Sequence, residues 1–412
     1  MDNREARDNV ASSLAAHSTT SFVRDRITWL GYFGLAFYAF LQATLGPIMP
    51  FLRAELDLNY TIAALHLSAF AVGMIAAGMS ADLLAARLGR KWVFWGGAAG
   101  AMAGMIALTF GESPVMTIAA ALAGGWIGSY MLVMIQAILS DHHGANRAIP
   151  LTESNVMAML FAACAPLVVS ATQQVGLGWR WTYGVGLLMF ITLALVFGHA
   201  PIPENAPHDA AKSTQERAAI GKNAKLPRLF WYSFVVIFLS VSMEWTIGFW
   251  GADFLERAVG LERGTAVGLM TVYFFAMLLG RFAGSRLTRS ADVSRLLVMA
   301  CVLVLIGFPL FWLSPIPALN LIGLFVTGLG IANLFPLTLS VASGAAAKVA
   351  PMLANRASAR VAFGAGAAIL ITPQISGAVA DQIGISGAFA ITGVIAVVTM
   401  GIVILANREA GR

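Results

Sequence analysis

With 412 residues, of which 58% are apolar and only 11% charged, the chain is too poor in polar surface for an ordinary soluble domain. A water-exposed fold of this composition would leave apolar patches that nothing could cover. The net charge of +6 would suit nucleic acid, but its distribution follows membrane topology instead, and no nucleic-acid partner is expected.

Spanning hydrocarbon takes roughly 20 apolar residues per helix, so this length holds about a dozen spans with short loops. Apolar runs predict spans at 27–51, 61–86, 92–110, 115–140, 149–174 and 181–199 in the first half. The second half gives 229–254, 264–287, 294–313, 318–342, 358–380 and 386–406. Residues 1–26 are polar and lack the apolar core of a signal peptide, so they read as a retained tail. Residues 200–228 carry Pro201, Pro203 and Pro207, then five basic residues, and form the single long connection. It reads as a linker between two six-helix halves, 27–199 and 229–406, with 407–412 as a C-terminal tail. Cys164 and Cys301 both lie in apolar runs and read as buried thiols, not as a disulfide or metal framework. No cofactor is expected.

Basic residues set the orientation. Arg87, Arg90, Lys91, Arg147, Arg286, Arg289, Arg295, Lys348 and Arg408 fall on the side that holds both tails and the linker. The other side receives Arg53, Arg180, Arg257 and Arg263. The positive-inside rule places both termini in the cytoplasm.

Two segments repeat between the halves. Gly78 to Lys91 (GMSADLLAARLGRK) has a degenerate copy in Gly280 to Arg295, each a basic turn between two apolar runs. The tetrad Ala145-Asn146-Arg147-Ala148 before span five recurs as Ala354-Asn355-Arg356-Ala357 before span eleven, and Pro166 and Pro373 follow at similar offsets. The hinge segment resembles the loop between the second and third helices of the major facilitator superfamily, and its copy resembles that loop's echo between helices eight and nine. The resemblance implies an all-α membrane protein of two six-helix bundles related by a parallel pseudo-two-fold repeat. It also implies a secondary active transporter, commonly monomeric, in the lipid bilayer, and the short tails and compact loops point to a bacterial inner membrane. Arg87, Gly89, Arg90 and Lys91 match the end of the family's hinge motif, but Ala86 stands where its aspartate is expected. Asp82 lies one helical turn earlier and can project on the same face. By the resemblance it would hold the cytoplasmic side closed, with Arg360 as partner; simple solvation of a helix end is the alternative. Pro47 and Pro50 are read as ending span one, and Trp179-Arg180 as an interfacial anchor.

In this family spans one, four, seven and ten line a central cavity, and spans two, five, eight and eleven form the seam. A charge inside a span costs on the order of 2.5–3.5 kcal/mol, so each needs a reason. Glu244 in span seven is the first candidate for binding substrate or a proton; a protonated glutamate bonded to a neighbouring helix is the alternative. Trp245 and Phe249 flank it as stacking surfaces or as packing. Glu153 and Arg281 fall at similar depth on helices five and eight, where they are expected to pair across the seam. Such a pair would lock the cytoplasmic gate when the carrier is open outward. Arg281 could instead neutralise an anionic substrate, or the pair could be purely structural. His66 could relay protons or be silently hydrogen-bonded. Tyr38 and Gln42 share a face of span one, with Tyr130 and Gln136 on span four and Asn333 on span ten. A pocket of amides and phenols suits a small polar organic solute, moved by alternating access with proton coupling. Efflux of drugs or other hydrophobic compounds is the alternative within transport. His142-His143 reads as a solvated turn, too poor in ligands for a metal. No Gly-x-x-x-x-Gly-Lys-[Ser/Thr] loop occurs, so ATP does not drive the protein directly. No nucleophile–base or metal set suggests an enzyme. A non-transporting sensor with the same fold would need a longer soluble segment.

Overall fold

The computed structural model describes residues 22–204, 226–349 and 353–410; most of the expected N-terminal tail and central linker lie outside them. The described residues form eleven long helices. The first six are α1 Arg26–Leu56, α2 Tyr60–Leu88, α3 Arg90–Thr109, α4 Pro114–His143, α5 Ala148–Gln174 and α6 Trp181–Phe197. They are followed by α7 Arg228–Arg257, α8 Arg263–Leu287, α9 Val293–Leu313, α10 Pro317–Val349 and α11 Leu353–Ala410. Ten are long and apolar enough to cross a membrane, while α6 is apolar but shorter. The expected twelve separate spans therefore become eleven helices, because α11 covers the last two. It is broken at Gly384 (φ 81°, ψ 165°), a left-handed conformation that glycine adopts at little cost, where the expected spans 358–380 and 386–406 meet.

Short connections and side-chain caps delimit the helices. Asp25, Asn59, Ser113, Glu262 and Asp292 each accept a bond from a backbone N–H of the first turn that follows. Both Glu262 carboxylate oxygens do so, from Gly264 and Thr265 at 2.8 Å each, and these bonds hold its carboxyl below the usual range. A lowered pKa stabilises the cap above the ordinary carboxylate range and is lost as pH falls through the folded value. Protection of the Gly264 and Thr265 amides from hydrogen exchange is thus expected to hold at neutral pH and to fall below about pH 4.

Contrary to expectation, Pro47 and Pro50 do not end α1, which runs on to Leu56. In a membrane helix the lost bonds can be offset by neighbouring helices. Here α7 packs backbone against backbone: a Cβ added at Gly46 would stand 2.7 Å from the Gly248 carbonyl oxygen. The helix stops at Asp57, a left-handed cap whose N–H bonds to the Arg53 carbonyl.

Packing repeats with an offset of six helices. Within 26–197 the closest partners are α1 with α5, α2 with α4 and α3 with α4; within 228–410 they are α7 with α11, α8 with α10 and α9 with α10. Between the two sets, α5 lies along α8 and α2 along α11, as the expected seam requires, with α1 touching α7. Small residues permit these approaches. At Gly280 an added Cβ would meet the Leu329 carbonyl oxygen of α10 at 2.8 Å.

Candidate functional site

Among the cavities of the described residues, two that lie between the halves concern the expected site. The smaller, about 160 Å³, is bounded by α1, α2 and α5 on one side and by α7 and α8 on the other. Gln42 of α1, Glu244, Trp245 and Phe249 of α7, and Arg281 of α8 supply its polar and aromatic walls. The larger, about 770 Å³, lies among α5, α8 and α10, with Thr152, Asn155, Ser285, Thr288, Asn333 and Ser340 in its wall. Arg281 borders both.

The Arg281 guanidinium stands 3.5 Å from Glu244, with the two side chains 33% and 22% exposed. The Arg281 Nε is buried without a hydrogen-bond partner among the described residues. The pair thus lines the cavity while one guanidinium donor goes unused, which fits an exchangeable contact better than a closed structural one. Trp245 and Phe249 fall on the same wall as expected, and the Gln42 amide approaches the Met74 sulfur at 3.4 Å.

Several other expected site residues are spent on holding helices together. The buried Tyr38 hydroxyl meets Ser129 Oγ at 2.7 Å, tying α1 to α4. Tyr130 meets Ser80 at 2.8 Å and accepts from the Trp126 indole at 3.0 Å. His66 is fully buried, with Nδ1 3.1 Å from the Ala63 carbonyl and Nε2 2.8 Å from Thr117 Oγ1. None of the three lines either cavity, because a polar group in an apolar bundle is satisfied first by the nearest helix. Gln136 is exposed and also lies off both cavities. Asn333 lines the larger cavity but donates to the Gly280 carbonyl at 2.9 Å, locking α10 to α8.

The gating residues have changed partners. Glu153 does not meet Arg281 in this structure; it accepts from Arg24 Nε and Nη2 at 2.8 and 2.5 Å and from the Tyr32 hydroxyl at 2.5 Å. Among the described residues no ion pair joins Asp82 to Arg360. Asp82 is exposed, and the Arg360 guanidinium lies 5.6 Å from the Trp231 ring centre. The basic hinge is ordered by two acids: Arg90 reaches Asp141 at 2.5 Å, and its backbone N–H donates to Glu204 at 3.1 Å. Gly89 breaks the chain between α2 and α3 at φ 84°, and Arg87 is exposed.

A second cluster, absent from the expectations, closes the opposite face. Arg53 at the end of α1 forms an ion pair with Asp253 of α7, 8% and 0% exposed, while the second Asp253 oxygen is buried and unpaired among the described residues. The guanidinium lies 3.5 Å over the Tyr60 ring, and Tyr60 contacts Trp250 edge-on at 5.3 Å. Asp381 of α11 accepts from the Tyr60 and Thr61 amides at 2.7 and 2.9 Å, joining α11 to the start of α2. The sequence did hold a signal, since Asp253 falls inside the expected span 229–254. Trp179 is likewise no interfacial anchor: it is buried and donates to Glu55 at 2.8 Å, beside Arg180 on the same carboxylate.

The family model described as Major Facilitator Superfamily matches residues 31–351. The chain belongs to that superfamily. It is therefore a membrane transporter, and the apolar helices are those of an integral membrane protein. Its sequence is 27% identical over 300 residues to multidrug resistance protein MdtL of Escherichia coli, spanning 71% of this chain and 74% of that one. The fold matches a crystal structure of a point mutant of the nucleoside transporter NupG with a TM-score of 0.74 at 17% identity, covering 92% and 98% of the two chains. It matches a D-xylose-proton symporter with a TM-score of 0.72 at 12% identity, covering 92% and 96%. These likenesses establish the architecture of the transporter, in which the two cavities that share Arg281 sit between the halves.

Proposed function

We propose that the transporter moves a small polar organic solute by alternating access, driven by protons, with Glu244 and Arg281 as the central binding pair. The observation that carries this reading is the placement of that pair, on α7 and α8, at the cavity facing α1 and α5 of the other half. Glu244 can exchange its arginine partner for a proton or a cationic group, and Arg281 can take an anionic one. Gln42, Trp245 and Phe249 complete the small cavity, and the larger one is the path toward the cytoplasm. The membrane is the bacterial inner membrane, crossed twelve times by a monomer with both termini in the cytoplasm, the arms of α11 flanking Gly384 being separate crossings.

Contacts across the halves gather at the expected outer face, around Arg53, Tyr60, Asp253 and Asp381, which fits an inward-facing state. On switching outward, Glu153 releases Arg24 and takes Arg281, while Asp82, Arg87, Gly89, Arg90 and Arg360 form the closing cytoplasmic side. Export of hydrophobic compounds is the second reading, favoured by the aliphatic and aromatic side chains around both cavities and by the match to MdtL.

Proteoliposomes carrying a pH-sensitive dye separate these readings. Sugars, nucleosides, organic acids, amines and drug-like cations are added in turn to the parent protein and to Glu244→Gln. The proposal expects proton movement with one polar class and none in Glu244→Gln. Proton movement confined to drug-like cations would favour export, and a bound class that moves no proton would overturn proton drive.

A further inference from the structure

His142 and His143 end α4, and the fold brings Asp25 to them from a point more than a hundred residues earlier. One ligand atom from each of the three side chains lies within 4.8 Å of the other two. Asp25 Oδ2 is 2.6 Å from His142 Nε2, and His143 Nε2 is 2.8 Å from Thr28 Oγ1. The group is open to solvent, with the His142 and Asp25 side chains 28% and 40% exposed.

We propose that Asp25, His142 and His143 form a binding site for a first-row divalent transition metal of the zinc class. Two imidazoles and one carboxylate are the donors that such ions prefer, whereas calcium and magnesium favour all-oxygen sets over imidazole nitrogen. Three protein ligands leave a fourth, water-held position. Ligand atoms about 2 Å from a tetrahedral ion stand roughly 3.3 Å apart, so the 2.6 Å Asp25–His142 contact must open slightly while His143 draws in and gives up Thr28. The carboxylate is already aimed: as the α1 cap, Asp25 takes the Thr28 amide at 2.9 Å and hydroxyl at 2.8 Å on Oδ1, which leaves Oδ2 toward His142. The carbonyl end of α4 adds a favourable field for a cation. The flanking arginines are engaged elsewhere, Arg24 with Glu153 and Arg26 with the Val196 carbonyl, so they do not compete. Bound metal would staple the residues entering α1 to the end of α4, beside the Arg24–Glu153 contact with α5.

Zinc chloride is titrated calorimetrically into the full, tag-free chain in detergent, alongside His142→Ala, His143→Ala, Asp25→Asn and His199→Ala. Asp25→Asn keeps a capping oxygen, so α1 stays capped while the carboxylate ligand is weakened. Saturable binding of one ion per chain is expected, weakened at least about tenfold in each ligand variant and unchanged in His199→Ala. Cobalt added in place of zinc should give visible absorption of a four-coordinate site in the parent and not in His143→Ala. Absence of saturable binding, or binding that survives in both His142→Ala and His143→Ala, would overturn the site.

Discussion

Asp253→Asn is expected to shift the transporter toward an outward-open state. In the parent, Asp253 is fully buried and answers the charge of Arg53, itself 8% exposed. Removing one member of a buried pair leaves the other uncompensated, at a cost of roughly 3–5 kcal/mol. The outward-open state hydrates Arg53 and escapes that cost. Even 3 kcal/mol changes a two-state ratio by about 150-fold, enough to invert a closed majority. Spin labels at Leu177 and Ile316, both exposed in connections of the expected outer face, report the distance between the halves. The distance should lengthen in Asp253→Asn, and adding Arg53→Gln should bring part of the population back. An unchanged distance with a lower melting temperature would make the pair a structural tie and nothing more.

Glu244→Gln is expected to separate binding from coupling. The amide keeps the size of the side chain but can neither carry a charge nor release a proton. Exchange of solute across the membrane should persist, whereas accumulation against a gradient should stop. Losing the charge-assisted contact, worth about 1.5–3 kcal/mol, should weaken a cationic or hydrogen-bonding solute roughly 10- to 100-fold. Tracer counterflow and proton-driven uptake in the same proteoliposomes measure the two activities side by side. Equal loss of both would mean that Glu244 shapes the cavity without coupling it to protons.

The architecture was legible because its signals are large. The apolar run lengths, the basic hinge at Arg87–Lys91 and its echo near Arg286 each register one helix end. The charge asymmetry then orders the ends. Glu244 and Arg281 were also legible, since a charge inside a span is rare enough to stand out. What was not legible was the face each polar residue turns inward. In a soluble helix the core face is the apolar face, but here the lipid-facing and protein-facing sides are both apolar. Tyr38, Tyr130 and His66 could therefore not be told from cavity residues until Ser129, Ser80 and Thr117 appeared opposite them. Arg53 was hidden for another reason. Pro47 and Pro50 suggested that the helix had ended, which made Arg53 a loop charge, whereas α1 carries it inward to Asp253. His142-His143 looked like a bare turn because Asp25 is remote in sequence.

A thermal-shift screen tests the binding role of the Glu244–Arg281 cavity most directly. Purified protein is melted against sugars, nucleosides, organic acids, amines and drug-like cations at acid and neutral pH, and each hit is repeated on Glu244→Gln and Arg281→Ala. The account predicts a ligand class whose stabilisation of the parent shrinks in both variants and needs roughly 10- to 100-fold more ligand to recover in Glu244→Gln. A ligand that stabilises the parent and both variants equally would contradict it, and would move the binding site away from this pair.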